Sequence, residues 1–131
     1  MNTQSLIIAQ RELDILKKYL QDSILTEFNK KTLASEIASA RVVNEHELPD
    51  DAVSINTVVH VHERQSRQNF IFQIVHPSAA DVKKNKVSVF APIAIALLGY
   101  RKGSVTRWEM PGGVQEFEIQ KVVRVQQEQV A

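Results

Sequence analysis

VSVFAPIAIALLGYRKGSVTRWEMPGGV, residues 87–114, is the stretch that decides the fold. Its apolar start over 87–90 predicts a strand. The strand runs into Ala91-Pro92. Proline suits a first helical position, because its missing N–H has no intrahelical partner there. IAIALL then predicts a short apolar helix, and Gly99 can take the left-handed conformation that closes it. After a polar turn holding Gly103, residues 104–110 predict a strand ending at Trp108-Glu109-Met110. Met110-Pro111-Gly112-Gly113 fits a type II turn, with proline second and glycine third. A strand over 114–125 would complete an antiparallel hairpin. Nothing in the stretch looks catalytic. It reads as a scaffold that holds a small helix, and the proline marking its start, on a sheet.

Upstream, residues 57–63 alternate, with Val59 and Val61 on one face and Val58, His60 and His62 on the other. Residues 64–69 predict a polar loop. FIFQIVH (70–76) is apolar on both faces, which suits a central strand covered on both sides. Residues 77–86 predict a loop leading into the 87–90 strand. On the last strand, Phe117, Ile119, Val123 and Val125 fall on one face, and a frayed tail is expected from Gln126.

Nearer the N-terminus the period becomes helical. Leu13, Leu16, Tyr19 and Leu20 recur three to four residues apart and predict a helix over 10–22. Leu33, Ile37 and Ala40 do the same over 30–42, with Asn29 or Thr32 able to cap the start. Two helices joined by a short loop pack as an antiparallel hairpin. Each would be roughly 20 Å long at about 1.5 Å per residue, and helices so short need a partner surface. NEHELPDD (44–51) reads as a polar connector. The expected class is α+β, organised as a helical hairpin (1–43), a connector (44–52) and an antiparallel sheet of about five strands with one short helix (53–131).

Composition narrows the function. The chain has 131 residues, 44% of them hydrophobic, enough for one packed domain. Sixteen basic residues against fifteen acidic leave a net charge of +1, which argues against strong direct binding to nucleic acid through bulk charge. The absence of cysteine removes disulfides and Cys-based metal or redox chemistry. No apolar run reaches the ~18 residues that suggest a membrane span. MNTQSLIIAQRE has neither a basic start nor a long apolar core, so no signal peptide is expected, and the expected compartment is the cytoplasm.

The ordered combination Ala91-Pro92, Ala96-Leu97-Leu98-Gly99 and Trp108-Glu109-Met110-Pro111-Gly112-Gly113-Val114 resembles the C-terminal domain of the bacterial Gre transcription factors. It is most similar to the branch called regulator of nucleoside diphosphate kinase. The resemblance covers residues 53–125 well and 10–43 in outline. It implies an FKBP-like sheet domain after a coiled-coil-like hairpin, and a partner, RNA polymerase, docked at the coiled-coil rim of its secondary channel. In Gre factors the corner before ALLG makes that contact. Carried over residue by residue, the corner here is Phe90, Ala91, Pro92 and Ile93. Gre proteins usually carry an acidic or polar residue and then serine before that proline, where this chain has Phe90 and Ala91. The corner by itself reads equally well as a helix start packed on the sheet, with Phe90 in the core.

Gre factors also carry two acidic residues at the tip of a long hairpin, which hold a metal ion in the polymerase active site and promote cleavage of backtracked RNA. Carboxylates are suitable ligands for such an ion. Here the hairpin is much shorter, and the tip is Asp22, Ser23, Ile24, Leu25, Thr26 and Glu27 in place of a close acidic pair. Asp22 and Glu27 then read as solvated tip charges, with Glu27 favoured by the helix dipole. Ile24, Leu25 and Phe28 would cap the hairpin or touch a partner. No metal site is expected. His60 and His62 share a strand face, but His76, paired opposite Thr57, would lie roughly 10 Å from His60. No catalytic residue and no cofactor are expected: neither G-x-S-x-G nor a glycine-rich phosphate loop occurs. Trp108 reads as core. Lys83, Lys84 and Lys86, with Arg101 and Lys102, are solvated loop charges or a basic rim that would speed association with an acidic partner.

The resulting reading is a non-enzymatic transcription regulator that competes with Gre-type factors at the secondary channel without stimulating transcript cleavage. The alternative is a stand-alone FKBP-like peptide or small-molecule binding module, with prolyl isomerase activity as one form.

Overall fold

A computed structural model describes residues 6–125. It is α+β. Strand β1 (Ile7–Ala9) leads into helices α1 (Gln10–Asp22) and α2 (Glu27–Ser39), and β2 (Arg41–Val43) returns parallel to β1. The remaining strands are β3 (Thr57–Glu63), β4 (Gln68–Val75), β5 (Lys86–Ser88), β6 (Val105–Met110) and β7 (Gly113–Arg124), with helix α3 (Pro92–Leu97) between β5 and β6. The sheet order is β5-β4-β3-β7-β6, antiparallel except that β5 runs parallel to β4.

The first helix keeps its expected bounds. The second starts three residues earlier than the periodicity predicts, because Thr26 is its cap, with Oγ1 accepting from the Asn29 N–H at 3.1 Å. It also ends at Ser39, and residues 41–43 are strand. The hairpin does not stand apart from the sheet. Leu13, Leu16 and Leu33 are buried in the same cluster as Val59, Phe72, Leu97 and Trp108. Leu6 and Ile8, ahead of the first helix, are among its most completely buried members.

Three polar ties add to that shared core. The buried Glu12 carboxylate accepts from the Ala9 N–H (3.3 Å), closing its own helix start, and from the Ile55 N–H (2.9 Å) across the core. Asn29 pairs its side-chain amide with the backbone of Glu109, donating at 2.9 Å and accepting at 2.7 Å. It thereby satisfies backbone groups on the open edge of β6. The Tyr100 hydroxyl donates to the Glu36 carboxylate. Helix α2 is thus held near both ends.

Several sheet details differ from expectation. In β3–β4 Thr57 faces Ile74, and Glu63 faces Gln68. The register is two residues from the one expected, and His76 lies beyond the strand. The shift follows from a four-residue turn in which Arg67 takes a left-handed φ of 59°. The Glu63 carboxylate stabilises this turn by accepting from the Gln65 and Ser66 N–H groups and the Ser66 hydroxyl, and those bonds lower its pKa. The type II turn is absent, because the positive φ of 124° falls on Gly113 and not on Gly112. In β7 a bulge opposite His60/Val61 leaves Gln120 unmatched. Phe117 and Ile119 are buried as expected, but after the bulge Val122 turns toward the core while Val123 and Val125 are exposed. The strand expected over 87–90 is Lys86–Ser88. The tail from Gln126 lies outside the described residues.

Candidate functional site

The corner 90–93 is held open by local bonds. The Ser88 hydroxyl accepts from the Phe90 N–H (3.1 Å) and the Ser88 carbonyl from the Ala91 N–H (2.9 Å), turning the chain sharply after β5. Ala91 is the N-cap of α3 and Pro92 its first residue, as the proline rule predicts. Beyond the corner, residues 94–98 of α3 and its end are fully buried, so the corner is backed by a rigid anchor. Phe90 (38% exposed) and Pro92 face solvent, whereas Ala91 and Ile93 are half-buried. Phe90 is therefore surface rather than core.

Ala91 and Ile93 also border an apolar groove of ≈ 880 Å³. Its floor includes Phe72, Met110 and Phe117, and Phe70, Ile71 and Val82 line it with large exposed areas. FIFQIVH suggested a strand covered on both sides, but the first half of β4 is open: Phe70 is 40% and Ile71 53% exposed. The sequence signal for the groove is that run of aromatic residues. Its exposure is not legible there, because it depends on β5 being only three residues long. Lys83, Lys84 and Lys86 lie beside the groove, with Lys83 and Lys84 in a short 3-10 turn.

The hairpin tip lies elsewhere. Asp22 is engaged by Lys18 at 3.0 Å, one helical turn back. Glu27 is in the first turn of α2, Ile24 is fully exposed, and Leu25 packs partly against the core. Asn29, just behind the tip, is fixed to Glu109. The tip therefore sits beside the end of β6 and not at the far end of a free arm. His62 pairs with Asn69 across β3–β4 at 2.8 Å, and His60 faces Ile71. Among the described residues no group of three or more His, Cys, Asp or Glu could hold a metal ion, and no helix is long and apolar enough to cross a membrane.

The hairpin attachment has a pH signature. Burial pushes the Glu36 carboxyl up to about 7, against the lowering effect of the Tyr100 hydrogen bond. Tyr100 is itself raised, first by burial and then by the neighbouring carboxylate. Because the folded-state pKa of Glu36 lies above its unfolded value, the proton stabilises the folded chain. That contribution is complete below about pH 4.5 and is lost as pH rises through about 7. Glu12, raised by burial, acts in the same sense. The wild-type melting temperature should therefore fall more between pH 5 and 8 than that of Glu36→Gln, measured by parallel circular-dichroism melts. Identical pH profiles would remove Glu36 from this role.

Residues 48–124 match the family model for the transcription elongation factor GreA/GreB C-terminal domain. Transcription elongation factor GreA of Bartonella henselae is 34% identical over 90 residues, 69% of this chain and 57% of that protein. GreA of an Anaeromyxobacter strain is 37% identical over 92 residues, 70% of this chain and 55% of its own length. The chain thus spans little more than half of these relatives. Among solved structures, a GreA/GreB elongation factor from Nitrosomonas europaea superposes with a TM-score of 0.64 at 29% identity, covering 92% of this chain and 99% of its own. Gfh1 of Thermus aquaticus shares the fold, with a TM-score of 0.51 at 18% identity. The matched region contains both the corner and the groove.

Proposed function

The chain belongs to the GreA/GreB family of transcription elongation factors, and from that premise we propose that it is a transcription regulator that binds bacterial RNA polymerase at the secondary channel. The observation that carries the reading is the exposed, rigidly backed corner at Phe90, Ala91, Pro92 and Ile93, inside the family-matching region. A preformed apolar corner loses little conformational entropy on docking, and the lysines beside it would speed association with an acidic surface. Similarity to the regulator of nucleoside diphosphate kinase branch belongs to this proposal as well.

The mode of action follows from the hairpin. Each helix is 13 residues, roughly 20 Å at about 1.5 Å per residue, and the pair is tied to the sheet through Glu12, Asn29 and Glu36. A tip held in this way is poorly suited to deliver Asp22 and Glu27 deep into a channel. The protein would act by occupancy, excluding other channel binders without stimulating cleavage and without catalysis of its own.

The test is binding to bacterial core RNA polymerase with a Gre factor titrated as competitor, alongside cleavage of backtracked transcripts. Mutually exclusive binding and no acceleration of cleavage are expected. A stable ternary complex, or no binding at about 50 µM, would overturn the secondary-channel reading. Accelerated cleavage that is lost in Asp22→Ala or Glu27→Ala would replace occupancy with metal delivery.

A further inference from the structure

Among the described residues, strand β4 has a neighbour on its outer side only at Gln73, Ile74 and Val75, where β5 pairs with it. Over residues 68–72 it is bonded, among the described residues, to β3 alone. The Gln73 N–H donates outward to the Asn85 carbonyl (2.9 Å), while the Ile74 carbonyl accepts inward from the Asn56 N–H (2.7 Å). Bonding direction alternates along a strand, so the N–H and C=O groups of Asn69 and Ile71 point outward over an open edge. Folded proteins usually blunt such an edge with a charge, a proline or a bulge. QNFIF, residues 68–72, has no charge and no proline, and its register with β3 is unbroken.

We propose that this edge binds an extended acidic segment of a partner protein by strand addition, continuing the line of β5. About five residues of partner would cover it, roughly 17 Å at about 3.4 Å per residue. Main-chain bonds to Asn69 and Ile71 would hold the segment, and alternate apolar side chains would enter the groove beside Phe70 and Phe72. The acidic character follows from the charges at the far end. The incoming strand would abut the turn that leads into β5, which carries Lys83 and Lys84 and ends beside Lys86. Among the described residues no carboxylate lines the groove, and Lys86 is the one charged residue that does. The nearby Asp81 carboxylate accepts from the Lys83 N–H within its own turn.

The same charges disfavour a second copy of this chain. Antiparallel self-pairing about Phe70 would bring Gln73 of one copy opposite Arg67 of the other. Lys86, the β5 partner of Gln73, already holds that place, so the arginine would be forced against a like charge. β5 itself would also collide with the β3–β4 turn.

The inference goes beyond the polymerase reading and is tested without polymerase, so either can fail alone. The probe is a fluorescein-labelled peptide that alternates valine and threonine and ends in two glutamates, titrated with the full chain by anisotropy. A twin ending in two lysines is the control. The acidic peptide should bind with a Kd of tens of micromolar and the basic twin about tenfold more weakly or worse. Ile71→Pro removes an outward donor and leaves the β3 ladder whole, and it should weaken binding about tenfold. In the wild-type chain, the backbone amide resonances of Asn69 and Ile71 should shift on adding the peptide, a readout that stands even where the proline variant is unstable. Equal affinity for both peptides, no binding at about 1 mM, unmoved Asn69 and Ile71 amides, or undiminished binding by a folded Ile71→Pro would each overturn the proposal. Concentration-dependent dimers that Ile71→Pro abolishes would assign the edge to a second copy instead.

Discussion

Gly99→Ala should lower the melting temperature by about 10 °C or more, the largest effect expected of an added methyl at any of the four glycines. Gly99 has φ +86°, and a Cβ there would lie 2.5 Å from Cγ2 of Ile8 and 2.8 Å from Cβ of Leu6. Those two side chains are fully buried and cannot swing aside. The backbone cannot move either. Gly99 donates to the Val53 carbonyl (3.0 Å) and accepts from the Ile7 N–H (3.1 Å), joining β1 to the segment that precedes β3. A left-handed residue with a side chain costs about 1–2 kcal/mol, and overpacking adds about 1–3 kcal/mol. Gly103→Ala isolates the first term: its φ is +92°, and among the described residues nothing lies within 4 Å of the added carbon. Gly112→Ala, in open space without a positive φ, should be close to neutral. Thermal melts of the three variants should rank them Gly99, Gly103, Gly112 in order of damage. Equal melting temperatures for Gly99→Ala and Gly103→Ala would sink the steric account.

Gly99 also marks where sequence reading stops. That a glycine must close α3 is a local fact, legible from IAIALLG. That β1 packs against it is non-local, and three residues of strand carry no readable period. The same division runs through the fold. Pro92, the alternation of Val59 and Val61, and the burial of Trp108 follow from propensity and pattern, and all are observed. The β3–β4 register is not legible because its turn has no glycine: Arg67 takes the left-handed position, and Glu63 bonds to Ser66. The bulge at Gln120 is not legible because alternation assumes an unbroken ladder. Asn29 and Glu12 both sit near helix starts, where local rules offer them local roles. Asn29 instead pairs with Glu109, 80 residues away, and Glu12 spends one of its carboxylate oxygens on Ile55, 43 residues away. At the candidate site the corner residues were legible individually. The groove was not, since it exists only because β5 ends after three residues and leaves half of β4 uncovered.

The exposed pair within that corner gives the largest expected functional effect. Phe90→Asp/Pro92→Asp should weaken binding to core RNA polymerase about 100-fold or more while leaving the melting temperature nearly unchanged. Phe90 and Pro92 both face solvent, so neither substitution buries a charge in the free protein. An aspartate at the first position of α3 is favoured by the exposed N–H groups there. Ile93, half-buried and packed against the core, is unsuitable for the same change, since a charge there would confound docking with folding. In a complex the balance reverses. An apolar anchor pressed into a partner pocket contributes about 2 kcal/mol or more, and a carboxylate in its place must be desolvated without a partner. Two such losses exceed 100-fold at about 1.4 kcal/mol per tenfold. Surface plasmon resonance against immobilised core polymerase measures the affinity, and circular dichroism checks the fold. Salt separates the corner from the lysines beside it. Losing Phe90 and Pro92 should mainly raise the dissociation rate at every ionic strength, whereas charge-neutralising Lys83→Gln/Lys84→Gln should slow association mainly at low salt. A folded double aspartate variant with wild-type affinity would remove the corner from the interface. The exposed Ile24 at the hairpin tip would then become the apolar contact to test.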